Sequence, residues 1–104
     1  MNIDAFRAEL ETRLMIEKEY MVQELTMISD YQEKLELLGE FNDKYRGLIK
    51  RLANEHGVDI NAPYPSENPS NSEHLTYEQV ILGKTMSIYD RLVDELYEEI
   101  TSIN

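Results

Sequence analysis

Carboxylates are the side chains of this chain whose number and spacing could support chemistry. Glu33-x-x-Glu36 and Glu40-x-x-Asp43 repeat acids at helical spacing, and Asp94, Glu95, Glu98 and Glu99 do so again near the other end. Acids three or four residues apart share one helix face, and such a face can hold Mg²⁺ together with substrate phosphates. A two-helix metal site needs its pairs on facing helices. Here the first two pairs follow one another in a single helical segment. In a chain with 21 acids, such pairs also arise by chance. No metal ligand is assigned from them.

Other catalytic constellations are missing from the sequence. There is no cysteine, hence no thiolate nucleophile, thiolate metal site or disulfide. His56 and His74 lie outside any Glu-x-x-His or His-Glu-x-x-His spacing. Four scattered glycines make no phosphate loop. The expectation is a protein that is not an enzyme and carries no cofactor.

The acids matter more as a surface. The net charge is −11 over 104 residues. Residues 1–43 carry −7, residues 44–57 carry +3 and residues 58–104 carry −7. Such a surface disfavours direct contact with nucleic acid or anionic membrane and favours a basic protein partner. Asp90/Asp94, Asp94/Glu98 and Glu95/Glu99 are like-charge pairs at i,i+4. Each costs a few tenths of a kcal/mol, and acids near a helix C-terminus also oppose its dipole. Local conflict of this kind is where function is expected, although charge can serve solubility alone. The candidate acidic surface is Glu9, Glu11, Glu17 and Glu24 with Asp90, Asp94, Glu95, Glu98 and Glu99, arranged as a long negative track.

The elements that must carry these acids are helical. A seven-residue apolar repeat runs from residue 3 to 52, through Leu14, Met21, Ile28, Leu35 and Ile49 on one seam and Ile3, Leu10, Tyr31, Leu38, Tyr45 and Leu52 on the other. That period predicts coiled-coil-like packing of helices side by side. The register persists through Ser29-Asp30, which favours one continuous or kinked helix over 3–56. A capping signal at Ser29-x-x-Gln32 offers a break near 28–30 instead. Gly57 and Val58 suit a Schellman ending. Residues 57–75, with Pro63, Pro65 and Pro69, read as a loop in which Tyr64 is the large anchor. Thr76 and Gln79 form a capping box that opens a last helix over 77–102. Its stripe is Tyr77, Ile81, Ile88, Leu92, Leu96, Ile100 and Ile103.

The fold class is therefore all-α, a single domain over 1–104, either a helical hairpin with a long N-terminal helix or a three-helix bundle. If the long helix is continuous, the last helix covers only half of it. The apolar residues Phe6, Leu10, Leu14, Met21, Leu25 and Ile28 then need a second copy or a partner helix. A homodimer is expected on that ground.

Two functions follow as expectations. One is an acidic regulator, inhibitor or adaptor of a basic, nucleic-acid-handling protein, including imitation of DNA charge. The other is an assembly or chaperone-like subunit acting through the apolar seam. No apolar run approaches the ~20 residues of a membrane span. The chain opens without a signal-peptide pattern, and with its lack of cysteine this suggests the cytoplasm.

Overall fold

The computed structural model describes residues 2–65 and 75–102. Among them are three helices: α1 (Ile3–Leu25), α2 (Tyr31–Glu55) and α3 (Tyr77–Thr101). All three pack on one another. Contacts between Glu17 and Lys44 and between Glu9 and His56 set α1 antiparallel to α2. Those between Tyr45 and Thr85 and between Asn42 and Tyr89 set α2 antiparallel to α3. The fold is an up-down-up three-helix bundle.

The sequence favours an unbroken helix over 3–56, and this is corrected by a break at 26–30. Thr26 turns its hydroxyl back to the Gln23 carbonyl at 2.6 Å. The Met27 and Ile28 amides close tight i→i−3 bonds to Glu24 and Leu25. Asp30 then caps α2 by accepting from the Glu33 amide at 3.3 Å. The heptad survives the break because α1 and α2 face the same core. A repeat continued across a turn needs no continuous helix.

The other ends follow the local chemistry of the sequence. Asn2 Oδ1 accepts from the Asp4 and Ala5 amides. At the end of α2, Gly57 takes φ 68°, the Val58 amide reaches the Ala53 carbonyl at 2.8 Å and the Gly57 amide reaches that of Asn54. That is a Schellman motif. Thr76 and Gln79 exchange both bonds of their capping box. The segment before α3 is tied down by an antiparallel bridge between Pro63 and Thr76. The Ile60 and Ala62 carbonyls accept the Glu78 and Tyr77 amides, donors that the first helical turn leaves open. Tyr64 sets its ring edge-on to Tyr77 at 5.2 Å. The rest of the loop expected over 57–75, including His74, and the stripe residue Ile103 lie outside the described residues.

The break also corrects the apolar seam. Phe6, Leu10, Leu14 and Met21 are at most 1 % exposed, Leu25 is buried and Ile28 is half-buried. They pack in the chain's own core with Phe41, Leu52, Ile81 and Leu96. Folding α2 back along α1 supplies the cover that an unbroken helix would have lacked. The ground for expecting a homodimer through this seam is thereby removed. Inside the core, Tyr89 stacks on Tyr45 at 4.6 Å and on Phe41 at 5.7 Å. The Tyr45 hydroxyl meets that of Thr85 at 2.7 Å, and Thr85 donates to the Ile81 carbonyl. Burial pushes the Tyr45 phenol above its ordinary pKa, partly offset by the Thr85 hydrogen bond.

Candidate functional site

The core stripe of α1 is interrupted at Glu17 and Lys18, between Leu14 and Met21. Glu17 meets Lys44 of α2 at 3.4 Å, while Lys18 meets Glu95 of α3 at 2.5 Å. Adjacent residues of opposite sign thus tie α1 to different neighbours. Exchanging α2 and α3 would set Glu17 against Glu95 and Lys18 against Lys44. Like-charge contacts of this kind select one arrangement of a bundle. The hydrogen bond from Lys18 holds the Glu95 carboxyl below its ordinary pKa. Near the opposite end, Arg13 bridges Glu9 and Glu55 at 3.0 Å each, and Glu9 also meets His56 Nε2 at 3.0 Å.

These pairs correct the expected negative track. Glu9, Glu17 and Glu95 face bases of their own chain. Glu11 is half-buried, whereas Glu24, Asp90, Asp94, Glu98 and Glu99 are exposed. Among the described residues, none of these last six makes an ion pair within 4 Å.

The acids sort along the bundle instead of lining it. Residues 16–40 and 92–102 meet at the end where α1 stops, α2 starts and α3 stops. They carry eleven acids and two bases, a net −9. The remaining described residues carry eight of each and are neutral. The C-termini of α1 and α3 add two negative dipole ends to the acidic half, against the one positive end of α2. Antiparallel folding creates this sorting, because it lays the acidic N-terminal part of α2 beside the acidic ends of α1 and α3.

The acidic half also displays large apolar side chains. Ile16, Tyr20, Met27, Tyr31 and Tyr97 are 47–89 % exposed, with Met27 the extreme. The neighbouring Tyr97 phenol raises the Tyr31 pKa. The spacing of Ile16, Tyr20, Met27, Tyr31 and Tyr97 in the sequence points to no surface role for them. The only available hint was that the heptad skips residues 17 and 24, both Glu, so neighbouring apolar residues of α1 lie off the core stripe. Two adjoining depressions of roughly 360 and 290 Å³ lie along the α1–α2 edge and share Glu17 and Lys44. Among the described residues, no three carboxylate or imidazole groups converge as metal ligands would, and no helix is long and apolar enough to cross a membrane.

Comparison with protein-family profiles, with curated proteins and with solved structures finds no match to this chain.

Proposed function

We propose that this protein is a small binding module whose acidic half docks onto a basic, nucleic-acid-handling protein as a regulator, inhibitor or adaptor. The observation carrying this reading is the net −9 confined to one half of the bundle. Ten residues of helix rise about 15 Å, and B-DNA carries about nine negative charges over that distance. By the Glu17–Lys44 register the acidic half runs from the level of residue 16 to the start of α2, about 20 Å, so it carries roughly three-quarters of the linear charge density of duplex DNA, and on that ground it can compete for a site built to hold phosphates. The exposed Tyr97 and Tyr31 supply what phosphates lack, an aromatic contact that resists salt once docking is complete. Asp94, Glu98 and Glu99 of the acidic half, with Asp90 within one turn beyond its edge on α3, are the acids best placed to act, being exposed and outside the intramolecular ion pairs. The alternative, a subunit gripping a partner helix through Phe6 to Ile28, would require α2 or α3 to leave the core.

A tagged chain in host lysate tests the reading, compared with the variant Asp90→Asn, Asp94→Asn, Glu98→Gln, Glu99→Gln and washed at low and high salt. Basic nucleic-acid-binding proteins should be held by the native chain at low salt, weakened at high salt and absent from the variant. Prey that the variant retains equally would overturn it.

A further inference from the structure

The order of charges along the α1–α2 edge carries information beyond the net acidity on which the acidic-partner reading rests. Glu33, Glu40, Lys44 and Arg51 follow one another at intervals of seven, four and seven, which keeps them along one edge of α2. Lys44 and Arg51 line the groove against α1, together with Gly47. No neighbour lies within 4 Å of where a Cβ on Gly47 would stand, so this stretch is open to another backbone. The order of charge is acid, acid, base, base, and it is symmetric about residue 42: Glu33 and Arg51 lie equally far from it, as do Glu40 and Lys44.

We infer that this face pairs with a second copy of the same chain, antiparallel, about a two-fold axis crossing α2 at the level of residue 42. The two-fold sets Glu33 opposite the partner's Arg51 and Glu40 opposite the partner's Lys44, and repeats both pairs by symmetry. Lys44 then lies between its own Glu17, 3.4 Å away, and the second copy's acid. The same ion pair gives the level of the axis on α1. With Glu17 beside Lys44 and the helices antiparallel, residue 42 lies level with about residue 19. Tyr20, 60 % exposed, therefore falls next to the axis and meets its own copy, flanked by Ile16 and Met27 on the same strip. Charge symmetry on α2 and apolar exposure on α1 point independently to one axis. The contact takes up Glu33 and Glu40 of the acidic half but leaves the Asp94–Glu99 segment of α3 outside it, so the acids on α3 stay open to a basic partner in the dimer.

Sedimentation equilibrium on the full chain at moderate salt should find a dimer. Arg51→Glu and Glu33→Arg should each weaken self-association by about tenfold or more, and the double variant Glu33→Arg/Arg51→Glu should restore it. Because the chain has no cysteine, Tyr20→Cys carries a single thiol, and mild oxidation should link it to its copy across the axis. All these positions are exposed, so folding is expected to survive, with circular dichroism as the check. A chain that stays monomeric, alone or with a foreign protein seated in the groove, would overturn the inference. So would a dimer indifferent to the charge reversals, or one that Tyr20→Cys fails to cross-link.

Discussion

The two halves of this bundle share one core and differ in charge. The half containing the start of α1, the end of α2 and the start of α3 is neutral and internally paired, with Arg13 bridging Glu9 and Glu55. The other half carries −9, with Lys18 and Lys34 within it and Lys44 at its edge against its acids. Stability alone would mix the signs, because like charges at i,i+4 and acids at helix C-termini are unfavourable. One half therefore pairs its charges internally, while the other carries an electrostatic cost on an acidic surface.

The largest effect should come from the core that both halves share. Phe41 is fully buried and stacks on Tyr89. Phe41→Ala should cost about 3–5 kcal/mol, read from the urea midpoint, with loss of the cooperative transition in both halves. A smaller break is Tyr45→Phe, which removes the hydroxyl that meets Thr85. Thr85 keeps its bond to the Ile81 carbonyl, so the cost should be about 1 kcal/mol. The same substitution should flatten the alkaline limb of stability. The folded Tyr45 phenol has a raised pKa, so ionisation at high pH favours the unfolded chain.

Two gentler changes sharpen the comparison. Lys18 lowers the folded pKa of Glu95. The stability from this pair is therefore complete above the ordinary carboxylate range and is lost as pH falls through the lowered value. Lys18→Met should remove that acid-range slope in chemical denaturation measured as a function of pH. Smallest of all, Asp94→Asn relieves repulsion from Asp90 and Glu98 and should stabilise the chain by a few tenths of a kcal/mol at low salt. Addition of salt should erase that gain. An exposed neutralisation in the balanced half, Asp59→Asn, should give no such gain.

Much of the fold is legible in the sequence because it is written in local chemistry. Gly57 with Val58, Thr76 with Gln79 and the apolar stripe of α3 each depend on residues within a few positions of one another. The break at 26–30 is less legible, since Ile28 and Tyr31 keep the heptad register whether or not the chain turns between them. The open seam from Phe6 to Ile28 was a consequence of that ambiguity, and α2 folding back closes it. The charge sorting is not legible as spacing along the chain. Residues 16–40 and 92–102 are far apart in sequence and become neighbours only through the order of helix packing. Likewise, nothing local marks Glu17 and Glu95 as already paired, because their bases come from other helices, whereas the Glu9–Arg13 pair is local, at i,i+4 on α1.

The most direct measurement is amide chemical-shift mapping of the ¹⁵N-labelled chain during titration with an oligolysine peptide at low salt. If the acidic half is the binding surface, shifts concentrate in residues 16–40 and 92–102, are centred on Asp94–Glu99 and Tyr97, and disappear at high salt. Shifts spread evenly over both halves, or centred on residues 3–15 and 41–55, would contradict it.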